Sequence, residues 1–276
     1  MAEDKMQLQR FELKYLVSEE KALAIRDYLS SQINYVDVDE FGAELPNFSY
    51  PVHSLYLDSF HMRTYQETIN GTKNRYKLRL RYYEDRPDAP VFFEIKRRMN
   101  NIIMKQRGGV RREAVPRLLA GQIPEPHDLL SKDPKHFMAV QRFCQLTSEI
   151  QARPKVHVFY LREAYLGRHD NSVRVTLDRE VHAEIETTTR LATRAVCPAK
   201  AFKLVILELK FTNRFPKWFN ELVRIFGVMQ CGAAKYVDGV NVLGGPEKVA
   251  GAVAVPTPMD RVPHPHPMII PELQPA

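Results

Sequence analysis

The segment Arg75–Tyr83 carries Lys77, Arg79 and Arg81 at every second position, with Tyr76, Leu78, Leu80 and Tyr82 between them. Residues two apart in an extended strand share a face, so three cations look one way and an apolar row looks the other. The device recurs with a carboxylate added in Arg10-Phe11-Glu12-Leu13-Lys14, in Phe93-Glu94-Ile95-Lys96 followed by Arg98, and in Leu207-Glu208-Leu209-Lys210. A single strand of this kind also suits a solvated sheet resting on helices. Repetition with one sign is different, because like charges opposed across neighbouring strands repel. Something anionic must offset them, and a polyanion inside a basic tunnel does so.

Arg and Lys suit phosphate in different ways. The guanidinium fork reaches two oxygens of one phosphate, whereas the ammonium is a compact charge that fits between neighbours. Each charge-assisted hydrogen bond contributes about 1.5–3 kcal/mol net. Several converging cations can therefore hold a multiply charged chain, less tightly as salt rises. The sequence has no G-x-x-x-x-G-K-[ST] loop and no G-x-G-x-x-G after a strand, so side chains rather than backbone amides must hold the phosphates. His61, His127, His136, His169, His264 and His266 fall outside the basic segments, and His157 alternates with Phe159 in a strand where a structural role is expected. Transfer between phosphates needs no general base, since the attacking oxygen is already anionic. Carboxylates in a basic lining suit Mg²⁺ or Mn²⁺ bridged to phosphate oxygens, and Glu12, Glu94 and Glu208 compete for that role. For Glu12 and Glu94, pairing with a neighbouring Lys or Arg is the equal alternative.

Eight alternating segments must position these groups: Arg10–Val17, Ser54–Asp58, Arg75–Tyr83, Val91–Arg98, Ile102–Arg107, Lys155–Arg162, Ser172–Asp178 and Val205–Phe211. Ser18 with Glu19 and Glu20 predicts a helix to about Gln32, Pro216 opens a helix over Lys217–Met229, and a third covers Lys135–Ile150. The expectation is an α+β fold: a closed eight-stranded antiparallel β-tunnel, or barrel, with helices packed outside. The folded domain is expected over residues 5–245, followed by a proline-rich flexible tail at 246–276.

Over 276 residues, 40 Lys and Arg against 33 Asp and Glu leave a net charge of +7, a field that favours an anionic partner. Nucleic acid is not expected, because Tyr76 and Tyr82 alternate away from the basic face that stacking would need. Cys144, Cys197 and Cys231 are isolated and odd in number, and no apolar run is long enough to span a bilayer. A cytoplasmic protein that does not itself cross a membrane is expected.

Taken in order, Arg10-Phe11-Glu12-Leu13-Lys14-Tyr15, Lys77–Arg81, Phe93-Glu94-Ile95-Lys96, Tyr160-Leu161-Arg162, Arg174–Asp178, Ile206–Lys210 and Lys235-Tyr236 resemble the VTC domain. That is the polyphosphate polymerase domain of the vacuolar transporter chaperone, a branch of the CYTH-like triphosphate tunnel metalloenzymes. The resemblance covers nearly the whole folded region and implies that ATP, bound with a metal, gives its γ-phosphate to a growing polyphosphate chain inside the tunnel. By matching position it implies phosphate binding by Lys14, Arg79, Arg81, Lys96, Lys105, Arg162, Arg174 and Lys235. Tyr160 would share the tunnel face with Arg162, and Glu208 would hold Mn²⁺ or Mg²⁺. Catalysis would rest on Lys14, Arg79, Arg81, Lys96, Arg162, Arg174, Glu208 and Lys235.

Two departures stand out. The E-x-E-x-K signature of the wider superfamily reads Arg10-x-Glu12-x-Lys14 here, which favours the VTC branch over adenylate cyclase or thiamine triphosphatase relatives. Ala234 precedes Lys235 where VTC domains often carry Ser, with the loss of one hydroxyl. The expected activity is a metal-dependent polyphosphate polymerase acting on ATP and inorganic polyphosphate or triphosphate. The alternatives are a triphosphatase or NTP hydrolase in the same fold, or a non-catalytic polyphosphate-binding module. Any product would need a membrane partner protein for translocation.

Overall fold

The structure, a computed structural model, describes residues 10–32, 35–100, 102–168, 172–212 and 214–252. The long strands follow the alternation: β1 (Arg10–Val17), β3 (Ser49–Asp58), β4 (Asn74–Tyr82), β5 (Val91–Met99), β6 (Ile102–Val110), β7 (Arg153–Gly167), β8 (Val173–Ile185) and β10 (Val205–Thr212). Two short strands, β2 (Val36–Val38) and β9 (Ala199–Lys200), join them. The helices are α1 (Glu19–Ser31), α2 (Glu40–Ala43), α3 (Arg63–Ile69), α4 (Val115–Leu119), α5 (Pro134–Glu149), α6 (Lys217–Ile225), α7 (Lys235–Val242) and α8 (Pro246–Gly251). Ser18 caps α1 by accepting from the Lys21 amide, as its sequence suggests.

All pairings are antiparallel, in the order β1-β10-β8-β7-β3-β4-β5-β6, with β2 added to β7 and β9 to β8. The fold is thus α+β, but the sheet has ten strands and is open, where a closed eight-stranded barrel was expected. It rolls until Cα atoms of the edge strands β1 and β6 approach within 8 Å, yet no ladder joins them among the described residues. The reason lies at the free edge of β1. Tyr15 there bridges to Gln230, and the Lys14 carbonyl accepts from the Cys231 amide at 2.9 Å, so part of that edge is already used.

Helices α1 and α6 cover the outside of β1, β10 and β8, burying Ile25, Leu29, Phe219 and Leu222 against Tyr15, Leu207 and Leu209. Helix α5 covers the outside of β5 and β6, with Val140 and Phe143 in the same apolar cluster as Leu80, Phe93 and Ile95. Helix α7 departs from the expected arrangement. Val237 and Val240 pack with Val156 and Val158, which share the tunnel face of β7 with Tyr160 and Arg162, so this helix lies inside the roll. Gly239 permits the approach, because a Cβ there would stand 3.0 Å from Ala183.

Strands β7 and β8 outrun their expected limits. A register shift opposite Phe159 and Leu161, beside Glu180 at φ 49°, breaks the alternation of β8 just past its expected limit. The stretch expected as tail begins with α8, where Val249 is buried. Residues 5–9, His169, His264, His266 and the rest of the expected tail lie outside the described residues.

Candidate functional site

Strand β4 sets the site. Leu78, Leu80 and Tyr82 are committed to the outer core, so alternation delivers Lys77, Arg79 and Arg81 to the interior. Register then extends the row, with Lys77 opposite Lys96 and Arg79 opposite Glu94 on β5, and Arg81 opposite Ser54 and Arg79 opposite Tyr56 on β3. Across the roll, β1 and β10 place Lys14 opposite Glu208 and Glu12 opposite Lys210. Together they enclose a cavity of about 380 Å³, lined among the described residues by eleven Lys and Arg side chains against two carboxylates, Glu12 and Glu208.

Three buried acids hold much of this charge in place. Glu208 lies 2.7 Å from Lys210 Nζ, 2.8 Å from Lys235 Nζ, 3.2 Å from Lys14 Nζ and 3.6 Å from Arg162 Nη2. Asp178, fully buried, accepts two 2.7 Å bonds from Arg162 and stands 2.6 Å from Lys235 Nζ. Glu94, also fully buried, is 2.6 Å from Arg79 and 2.7 Å from Lys105. Glu12 spans the roll to Lys96 at 2.9 Å and lies 3.4 Å from Lys14.

Five of the lining cations lack such partners: among the described residues Arg75, Lys77, Arg81, Arg97 and Arg98 pair with no carboxylate, and of these Lys77 and Arg81 lie deepest along β4. Arg81 donates through Nη2 to the Tyr160 hydroxyl at 3.0 Å and to Ser54 Oγ at 3.3 Å, while its Nε is buried without a hydrogen bond. Lys77 Nζ rests 5.9 Å from the centre of the Tyr236 ring.

Burial would raise the Glu208 carboxyl, but Lys210, Lys235, Lys14 and Arg162 hold it well below the usual carboxylate range. The same contest holds Glu94 down, with Arg79 the strongest opponent of burial. Burial pushes Lys77 down to about 8, helped by Lys96, Lys14 and Arg75. Lys210 falls to about 8 for the same first reason, although Glu208 and Glu12 partly offset it. Tyr56 accepts from Arg79 Nη1 at 3.2 Å; burial would raise its phenol, but Arg79, Arg81 and Lys77 bring it to about 8.

Of the expected residues, Lys14, Arg79, Arg81, Lys96, Tyr160, Arg162, Glu208 and Lys235 share this cavity. Lys105, Arg174 and Glu94 lie outside its lining. Lys105 is turned onto Glu94, and Arg174 Nη2 donates to Asp39 at 3.0 Å and to the Tyr50 hydroxyl at 3.3 Å. Sequence reasoning gave no role to Tyr56, Lys210 or Asp178. The first two were signalled by alternation with Ser54 and Glu208; the grip of Asp178 on Lys235 joins segments distant in sequence and carries no local signal.

No three His, Cys, Asp or Glu side chains converge into a metal cage among the described residues. Lys14 Nζ instead lies between Glu12 and Glu208, at 3.4 and 3.2 Å. This donor set fits a divalent ion that arrives on phosphate oxygens and takes one or two carboxylates from the protein, as Mg²⁺ commonly does.

The family model for the VTC domain matches residues 9–244. The chain belongs to the VTC domain family. Among solved structures it is similar to a candidate adenylate cyclase, bh2851, from Bacillus halodurans, at 13% identity and TM-score 0.46, over 82% of this chain and 94% of that one. It is also similar to the PH1819 protein from Pyrococcus horikoshii OT3, at 12% identity and TM-score 0.42, over 83% and 96%. No curated protein sequence matches it. In this VTC domain Ala234 is the N-cap of α7 and supplies no side-chain cap; its own amide donates to Asp238 Oδ2 at 2.7 Å. Lys235 therefore begins the helix with its ammonium already placed between Glu208 and Asp178. None of the helices among the described residues is long and apolar enough to cross a membrane.

Proposed function

We propose that this VTC domain is a polyphosphate polymerase, which transfers the γ-phosphate of ATP to a growing inorganic polyphosphate chain inside the basic cavity. One observation carries the reading: among the described residues eleven cations line the cavity against two carboxylates, and Arg81 and Lys77 are among those with no carboxylate partner. A chain of phosphates supplies the missing negative charge.

In this reading Arg81 and Arg79 grip phosphate oxygens from one wall, while Arg162, Lys235 and Lys14 face them from the other. Asp178 holds the Arg162 fork and the Lys235 ammonium in position before the ligand arrives, so little reorganisation accompanies charge development during transfer. No histidine among the described residues lines the cavity, and an anionic phosphate oxygen needs no base to attack. Glu208, with Glu12, would hold Mg²⁺ or Mn²⁺, and the ion would supply charge neutralisation.

The test incubates purified protein with ATP and Mn²⁺, with and without a short polyphosphate primer, and resolves the products by gel. A ladder of long chains with matching ADP is expected. Free phosphate without chain growth would replace polymerase by triphosphatase, and salt-sensitive polyphosphate binding without turnover would leave a binding module.

A further inference from the structure

One end of the roll differs chemically from the rest. In register, Phe92 lies directly beside Arg81 and Tyr50 directly beside Arg162, so two rings share the interior face with the unpaired guanidinium and the clamped one. Tyr83 meets Phe92 edge-on at 6.3 Å and Tyr50 at 6.2 Å. Phe41, on α2, lies parallel to Tyr83 within 5° at a centroid distance of 6.4 Å. Phe41 is 77% exposed, an unusual position for a ring that belongs to an aromatic group. Arg174 completes the set, with its Nε buried and without a hydrogen-bond partner while Nη2 is engaged by Asp39 and Tyr50.

A bare phosphate chain has no use for these rings, since it offers no π-face and gains nothing from apolar surface. A nucleotide has use for both parts: base stacking on an aromatic face tolerates any base, and its phosphates need cations one step further in. The mouth at the opposite end of the β4–β5 ladder is dominated by charge, with Arg75, Arg97 and Arg98 beside Tyr76 and Ile103, and has no group of stacked rings among the described residues.

We propose that Phe41 and Tyr83 form a nucleobase platform, on which the base of a nucleoside triphosphate stacks while Arg174 receives its phosphates and directs them to Arg81 and Arg162. This rests on the reading that the cavity binds phosphate chains, and it names the end at which the nucleotide is held. The platform reads a π-face rather than base edges, so ATP and GTP are held about equally.

The test compares ATP, GTP and inorganic tripolyphosphate by calorimetry on the full chain, as wild type, F41A and F41W. Tripolyphosphate carries the same phosphates without a base. F41A is expected to raise the Kd for ATP and GTP about tenfold, the scale of one lost base–aromatic stack, and to leave tripolyphosphate within about twofold. F41W, which keeps a stacking face, is expected to retain nucleotide affinity. Equal change for all three ligands, or no change for ATP, overturns the platform while leaving the phosphate site intact. Wild-type protein that binds no tripolyphosphate overturns the phosphate site itself, and the platform with it.

Discussion

Lowering the pH from 7.5 to 5 should destabilise the fold through one histidine that faces away from the cavity. His53 is 4% exposed, and its Nδ1 lies 3.1 Å from Nε2 of His157, whose Nδ1 lies 3.0 Å from Glu184 Oε1. Glu184 also accepts from the Val196 amide at 2.9 Å, so the chain of contacts fastens a covering loop to the sheet. Burial, and then the nearby His157 ring, push His53 down from 6.5 to about 4. Its folded value is lower than its unfolded one, so the unfolded chain takes up the proton first as pH falls. The contribution is complete above about pH 6.5 and is lost between there and about pH 4. Linkage over that window gives a loss of about 2 kcal/mol at pH 5. Urea unfolding at pH 7.5 and pH 5, at constant ionic strength, measures it in the wild type and in His53→Phe. The variant keeps the ring stack with Tyr82 and Phe159 but cannot take the proton. Its stability at pH 7.5 should be lower, because His157 Nε2 loses its partner, while its further loss on acidification should be smaller than that of wild type by about 2 kcal/mol. Equal acid losses in the two proteins would refute the assignment of this window to His53.

The cavity yields three further expectations. Glu208→Gln should abolish metal-dependent chain synthesis while tightening tripolyphosphate binding in metal-free buffer, because four cations lose a shared counter-ion; full retained synthesis would remove Glu208 from metal binding. Arg81→Ala should weaken tripolyphosphate binding about 10- to 100-fold, the range of one or more charge-assisted hydrogen bonds, and the calorimetric Kd checks it. Tyr56 stands at about 8, so wild-type affinity for tripolyphosphate should fall between pH 7 and pH 9 as a phenolate appears beside the phosphates. Tyr56→Phe should show a shallower fall over the same titration, the remainder belonging to Lys77 and Lys210.

Much of this site is legible in the sequence because a strand has period two. The interior placement of Lys77, Arg79, Arg81, Lys14, Lys96 and Glu208 follows from the apolar residues between them, which have only the outer core to enter. The limits of that reading are equally physical. Alternation says nothing of what occupies a strand's free edge, so the bridge from Tyr15 to Gln230 and the open sheet were not foreseeable from β1 alone. A bulge beyond Asp178 resets the parity of β8, which is why that strand extends beyond its expected end. Helix α7 reads as an ordinary amphipathic segment; its position inside the roll depends on Gly239 meeting Ala183, a contact between distant parts of the chain. Arg174 has the parity of a cavity residue, and Asp39, supplied from beyond β2, draws it aside.

The seam between β1 and β6 has a topological consequence. A ring closed by a continuous ladder can be filled by a polymer only when a free end is threaded through it. Here the 2.9 Å pair across the roll joins Glu12 on β1 to Lys96 on β5, the strand beside the β6 edge, and separating these two side chains costs no backbone hydrogen bond. On the proposed function the enclosure would act as a cuff with a clasp, and a phosphate chain would be laid in from the side and lifted out again without either end being found. A chain blocked at both termini should then compete for the cavity as well as an unblocked one.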